Sequence, residues 1–296
     1  MTVPSIGVFD SGVGGLSVLH EIRRLLPHVS LVYFADQKHV PYGSRTLDEV
    51  QALSEGITRF LLKQECELVV VACNTASAAA LHGLRSGFPD TQFVGMEPAV
   101  KPAAERTQTR KVGVLATPAT FQGELFASVV DRFAHGVEVI EIIVPGLVEL
   151  IEVGQTDVET VLRDPLRSAV EQSIDTLVLA CTHYSFVIPA IRRTLGSSVN
   201  VIDPAPAVAR QTERLWESRL RSEGTSMHAV HAVSPAASDS QKSADTPRGT
   251  ARGASTRYIT SGDPNAFLSA LFTLVGDEGA AEPAKWEAGS LTLREN

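Results

Sequence analysis

Two cysteines in this chain stand where an apolar run gives way to polar residues and a change of direction. In Leu68-Val69-Val70-Val71-Ala72-Cys73-Asn74-Thr75-Ala76-Ser77 the thiol follows five apolar residues and precedes a helix-forming stretch. Leu177-Val178-Leu179-Ala180-Cys181-Thr182-His183 repeats the device, again with Ala-Cys and then a hydroxyl residue. The thiolate is the reactive form of cysteine, and the free N–H groups at a helix amino end favour it. Two thiols facing one small ligand can act as base and acid on a single carbon, one removing an α-proton and the other returning a proton from behind. Near-attack distances of ~3–3.5 Å to that carbon put the sulfurs roughly 7 Å apart, so the pair stays reduced.

Such thiols need a rigid frame. The runs before Cys73 and Cys181 are unbroken apolar stretches without polar alternation, the first with three β-branched residues in five, the pattern of strands buried on both faces in a parallel sheet. Ligands bind such sheets at the carboxyl ends of the strands. Ser5-Ile6-Gly7-Val8-Phe9-Asp10-Ser11 predicts a first strand, followed by Gly12-Val13-Gly14-Gly15 and a helix from about Leu16 to Leu26. Leu31–Asp36 predicts a second strand, Pro41-Tyr42-Gly43-Ser44 a turn, and Leu47–Lys63 a helix. The second half then restarts the series. Val112-Gly113-Val114 echoes Ile6-Gly7-Val8, Cys181 echoes Cys73, and Asp203-Pro204-Ala205 echoes Glu97-Pro98-Ala99, in the same order and at nearly one spacing.

The expected architecture is α/β: two duplicated parallel-sheet units with helices on both faces and the active site in the cleft between them. Residues 1–97 with 206–275 make the first unit and 98–205 the second. Within the first, 222–256 reads as a disordered insertion, because Ser234 to Thr256 contains no Leu, Ile, Val, Phe, Met, Trp or Tyr. Residues 276–296 read as a loosely held tail.

Composition narrows the classes of function. The chain has 296 residues, 44% of them hydrophobic, enough for a substantial core. A net charge of −8 argues against general nucleic-acid binding. No apolar run is long enough to span a membrane, and the start shows no basic-then-apolar leader. Three cysteines without disulfide spacing fit a reducing cytoplasm. Cys66 has no motif around it and reads as structural. Cys181-x-His183 resembles part of a metal pair, but the chain has no Cys-x-x-Cys to complete a site.

Two rival readings follow from the same residues. Gly12-x-Gly14-x-x-Ser17 after a strand, with Asp36 ending the next one, approaches a dinucleotide-binding arrangement. It has serine for the third glycine and leaves both cysteine motifs unexplained. A non-catalytic amino-acid-binding module would account for the polar donors but not for two facing thiols.

Taken together, Asp10-Ser11-Gly12-Val13-Gly14-Gly15-Leu16-Ser17, Pro41-Tyr42-Gly43, Ala72-Cys73-Asn74-Thr75-Ala76-Ser77 and Cys181-Thr182-His183-Tyr184 resemble the glutamate racemases of the aspartate/glutamate racemase family. The resemblance runs from about Ile6 to Leu220 and resumes from Tyr258 to Phe267. It implies a cofactor-independent isomerase that turns L-glutamate into D-glutamate for peptidoglycan, with Cys73 and Cys181 as the acid/base pair. By the same resemblance Asp10 assists Cys73, His183 assists Cys181, and Glu152 is a further acid/base helper. Asp10, Ser11, Tyr42, Gly43, Asn74, Thr75, Thr117, Thr120, Thr182 and His183 would bind substrate. No metal, nucleic acid or membrane is implied, and a homodimer is left open. An aspartate or hydantoin racemase shares the thiol pair and is the nearest alternative. One departure from the pattern is Ser185-Phe186, where the family usually has Pro-Leu.

Overall fold

The computed structural model describes residues 4–222 and 254–294. Its first sheet holds β1 (Ser5–Asp10), β2 (Ser30–Ala35), β3 (Cys66–Val71), β4 (Gln92–Gly95), and later β9 (Thr256–Thr260), β10 (Ala281–Glu287) and β11 (Ser290–Leu293). The second holds β5 (Lys111–Ala116), β6 (Glu138–Ile142), β7 (Thr176–Ala180) and β8 (Asn200–Ile202). The helices are α1 (Leu16–Leu25), α2 (Leu47–Lys63), α3 (Asn74–Gly87), α4 (Val100–Arg106), α5 (Pro118–Gln122) and α6 (Glu124–Phe133), then α7 (Leu147–Glu152), α8 (Glu159–Glu171), α9 (Ile188–Leu195), α10 (Ala205–Ser222) and α11 (Pro264–Val275).

Strand order reveals the internal repeat. The first sheet runs β11-β10-β9-β2-β1-β3-β4 and the second β6-β5-β7-β8. β2-β1-β3-β4 therefore has the same order as β6-β5-β7-β8, and all these pairs are parallel. Register does the rest. Phe9 pairs with Val71, which sets Asp10 beside the chain leading to Cys73. Ala116 pairs with Ala180, which sets Thr117 beside Cys181.

Each strand is buried on both faces because its alternate residues enter separate cores. Ile6, Val8, Leu31, Tyr33, Leu68 and Val70 pack beneath α1, α10 and α11, with Leu16, Ile22, Val208, Ala209, Trp216 and Phe267. Phe9, Val32, Phe34, Val69 and Val71 point the other way, onto α2 and α3. The second sheet divides likewise: Leu115, Leu177 and Leu179 face α7, α8 and α9, while Val112, Val114 and Val178 face α4 and α6. Helix α2 begins at a capping box, in which the Thr46 side chain accepts from Glu49 N–H and the Glu49 carboxylate accepts from Thr46 N–H.

The insertion expected at 222–256 falls almost wholly on residues 223–253, which lie outside the described residues. The loosely held tail expected at 276–296 is corrected. Residues 281–293 form a hairpin whose β10 extends the first sheet in parallel beside β9. Ala288 and Gly289 both have positive φ at its turn, the backbone a two-residue hairpin needs. The two strands bury only Ala284 and Leu291, with Trp286 partly covered, so their apolar signal is faint in the sequence.

Candidate active site

The ends of β1, β3, β5 and β7 converge on one small, tightly closed cavity between the two units. Its walls are Ser11, Pro41, Tyr42, Gly43, Cys73, Asn74, Thr75, Thr117, Val148, Cys181, Thr182 and His183. Both strand-end thiols therefore line one space, each almost fully buried at 5% and 7% exposure. None of the lining residues is Lys or Arg.

Cys73 caps α3, and its sulfur accepts the Ala76 N–H at 3.4 Å. It also lies 3.9 Å from Ser11 Oγ. The expectation that the helix end draws this thiol down is corrected. Burial pushes Cys73 well above the ordinary thiol range, and neighbouring Asp10 adds to the rise, so the helix N–H is outweighed. Asp10 is itself buried and its carboxyl is raised, chiefly by burial, against the opposing pull of His183. Its Oδ2 accepts from Gly12 N–H at 3.0 Å and its Oδ1 from the Thr182 hydroxyl of the other unit at 3.3 Å.

Cys181 precedes a short 3₁₀ turn, Thr182–Val187, which turns His183 back so that Nδ1 lies 3.7 Å from the Cys181 sulfur. The other ring nitrogen, Nε2, is 2.5 Å from Glu152 Oε1 at the end of α7. Burial alone would lower His183, but its contacts with Cys181 and Glu152 outweigh burial and hold the imidazole well above its usual value. Burial would likewise raise Glu152, and the hydrogen bond from His183 leads the effects that carry it below its usual value. Both shifts favour an imidazolium paired with a carboxylate. Glu152 also receives Val13 N–H at 2.8 Å and the Gln37 side-chain amide at 3.2 Å, both from the first unit.

The donors on the remaining walls are neutral. Thr75, Thr117 and Thr120 form a hydroxyl triangle with oxygen separations of 2.9, 3.2 and 3.0 Å. Asn74 is buried with neither Nδ2 nor Oδ1 hydrogen-bonded, an arrangement that costs free energy unless a ligand satisfies it. Tyr42 lines the cavity, and its hydroxyl donates to Asp36 Oδ2 at 2.7 Å. Asp10, Thr120 and Glu152 do not line the space; each hydrogen-bonds a residue that does. Sequence reasoning missed Val148, an ordinary apolar helix residue by pattern, and Gln37. Ser185 turns to Asp203 at 3.0 Å, leaving the Thr182–Asp10 contact in place.

Gly12 and Gly14 explain the Gly-rich turn without a nucleotide. A Cβ at Gly12 would collide with the Glu152 carboxylate, and one at Gly14 with the His183 ring and the Thr182 hydroxyl. The glycines let the second unit approach the backbone closely, which fills the space a pyrophosphate would need. The dinucleotide reading is set aside on that ground.

Two parallel α/β units thus carry a thiol at corresponding strand ends on one cavity, and a family of known proteins matches the chain. The Asp/Glu/Hydantoin racemase family model matches residues 6–212, and the chain belongs to this family of isomerases. The chain is 50% identical over 217 residues to a glutamate racemase of Roseiflexus sp., covering 72% of this chain and 80% of that protein. It is 43% identical over 277 residues to the glutamate racemase of Ectopseudomonas mendocina, covering 92% and 95%. Among solved structures, glutamate racemase RacE1 of Bacillus anthracis superposes with a TM-score of 0.78 at 27% identity, covering 97% of this chain and 98% of that one. The Escherichia coli glutamate racemase, solved with L-glutamate and the activator UDP-MurNAc-Ala, gives 0.72 at 31% identity, covering 91% and 94%. Among the described residues no helix is long and apolar enough to cross a membrane.

Proposed function

We propose that this protein interconverts L- and D-glutamate by moving a proton at Cα between Cys73 and Cys181, supplying D-glutamate for peptidoglycan. The observation that carries the reading is the pair of buried cysteines, at corresponding strand ends of the two units, on one cavity. The relatives named above carry the choice of glutamate over a shorter acid.

The groups around each thiol suggest the starting protonation. Burial and Asp10 keep Cys73 a thiol, ready to donate. Cys181 lies 3.7 Å from His183 Nδ1, close enough for the two to exchange a proton. Cys181 then takes the α-proton as Cys73 delivers one from the opposite face, and the sulfurs exchange roles. Charge moves from one sulfur to the other, so each end needs a proton relay: Asp10, with its raised carboxyl, beside Cys73, and His183–Glu152 beside Cys181. Ser11, Gly43, Asn74, Thr75, Thr117 and Thr182 hold the carboxylates and amino group. No Lys or Arg lines the site, and His183 can pass its proton on, so no permanent cation holds one sulfur as thiolate and penalises the exchange. The three cysteines are all free, which fits work in a reducing cytoplasm.

The test is polarimetry of the purified protein with no added cofactor. Optical rotation of L-glutamate should decay to zero, and D-glutamate should decay from the other side. Under the same conditions L-aspartate should turn over far more slowly. Faster loss of rotation with aspartate would overturn the choice of substrate.

A further inference from the structure

Asp36 directly follows β2 and has no part in the proton path, yet it is fully buried and is met by four side chains from three separate stretches of chain. Its Oδ2 accepts from the Tyr42 hydroxyl at 2.7 Å. Oδ1 accepts from the Ser261 hydroxyl at 2.6 Å, just after β9, and from the Trp286 indole N–H at 2.8 Å, in the C-terminal hairpin. His39 Nδ1 lies 3.0–3.1 Å from both oxygens. No Lys or Arg is among these partners. Ser261 is fixed in turn, its oxygen accepting Lys38 N–H at 3.0 Å.

This hub reaches the cavity through one side chain. Tyr42 is buried, and its hydroxyl spends its hydrogen on Asp36 rather than on anything in the cavity. Its backbone begins the short turn Tyr42–Ser44, which with Pro41 and Gly43 forms one wall of the cavity. Across that wall Gly43 lies tight against Thr117; a Cβ there would come within 2.6 Å of the Thr117 side chain. A shift of the turn by a fraction of an ångström would therefore alter both the substrate wall and its fit to the second unit. On the far side, the Trp286 ring is seated on α2 where Gly56 leaves room, since a Cβ at Gly56 would come within 2.7 Å of it. His39 packs edge-on against the same ring, with centroids 5.4 Å apart.

We infer that Asp36 is the positioning residue for the Tyr42–Gly43 wall of the substrate site, and that Trp286 of the C-terminal hairpin completes its hydrogen-bond set. The inference rests on the reading of this cavity as the substrate site. A wall that holds a carboxylate equally in ground and transition states contributes to KM and leaves kcat largely alone. Ser261 and Trp286 join the chain far beyond the cavity motifs, so the C-terminal hairpin is part of the site's support.

Steady-state kinetics of Trp286→Phe, Tyr42→Phe, Asp36→Ala and their combinations test this. Trp286→Phe keeps an aromatic ring against Gly56 and removes one hydrogen bond; KM for glutamate should rise about 2–10-fold with kcat within about 3-fold, from the usual net worth of such a bond. Asp36→Ala should raise KM by about 10-fold or more, since small misplacements of a positioning group are costly. Because Tyr42 acts through Asp36, adding Tyr42→Phe to Asp36→Ala should change KM little further. Should Asp36→Ala fail to fold, Trp286→Phe and Tyr42→Phe alone still decide. Unchanged KM in both, or losses in kcat with KM preserved, overturns the inference. Asn74→Ala, on another wall, separates the two levels: if it raises KM while Trp286→Phe, Tyr42→Phe and Asp36→Ala do not, the inference fails alone. If none of the four raises KM, the reading of the cavity falls with it.

Discussion

Glu152 of α7 and His183 of the Cys181 turn form a buried pair at 2.5 Å, and the imidazole's other nitrogen faces the Cys181 sulfur. Val13 and Gln37 of the first unit hold the same carboxylate, so the pair also fastens the two units together. Glu152→Gln should lower turnover by about 10–100-fold, the usual cost of losing an orienting partner of a reactive side chain. Its stability effect has a defined sign. His183 is raised in the folded state, so its contribution is full below about 6.5, its ordinary value, and fades as pH rises through the folded value. Glu152 is lowered, so its contribution is present above about 4.5 and fades as pH falls through its folded value. The Tm gap between wild type and Glu152→Gln should be widest near pH 4.5–6.5 and shrink on going alkaline. A gap that widens with increasing pH would show that the imidazolium assignment is wrong.

Cys73→Ala and Cys181→Ala should each abolish racemisation in both directions, by at least ~10²-fold, because each sulfur is acid one way and base the other. Cys66→Ala serves as the control. That thiol lies in the core on the α2 side and is pushed up by burial to about 11. Its loss should cost about 1 kcal/mol of stability and leave turnover nearly intact. Retained activity in either Cys73→Ala or Cys181→Ala would remove that residue from the mechanism.

Asn74→Ala should separate function from stability. Neither polar atom of the Asn74 amide has a partner in the free protein, so truncation relieves a buried, unsatisfied group. Tm should hold or rise while KM for glutamate increases about 10-fold, the cost of one well-placed polar contact. A fall in Tm with unchanged KM would make the residue structural.

Proton history distinguishes two bases from one. In D₂O, starting from pure L-glutamate at low conversion, the D-glutamate formed should carry deuterium at Cα, delivered by a solvent-exchanged sulfur. The recovered L-glutamate should carry little. Mass spectrometry after separation of the enantiomers reads both. Product that keeps its original hydrogen, or label entering both enantiomers together, argues for a single base.

Much of the frame was legible before any coordinates. Strands running up to Cys73 and Cys181 and the helix at Leu47–Lys63 follow from apolar runs and the Pro41–Ser44 turn residues, signals contained within a few residues. The repeat that puts both thiols on one cleft could be read from Gly7/Gly113, Cys73/Cys181 and Glu97/Asp203 in order, because duplicated units keep their spacing. What only the tertiary structure decided depends on groups far apart in the chain. The rise of Cys73 came from burial and Asp10, against the local helix end that argued for a fall. Glu152 reached His183 within its own unit and Gln37 and Val13 across the cleft, and Asp36 collected Ser261 and Trp286 from the far end of the chain. Such contacts carry no periodicity or spacing rule. They exist because packing brings the two sheets' carboxyl ends together, and electrostatic energies inside that closed, poorly hydrated space depend on distance and burial rather than on neighbours in sequence.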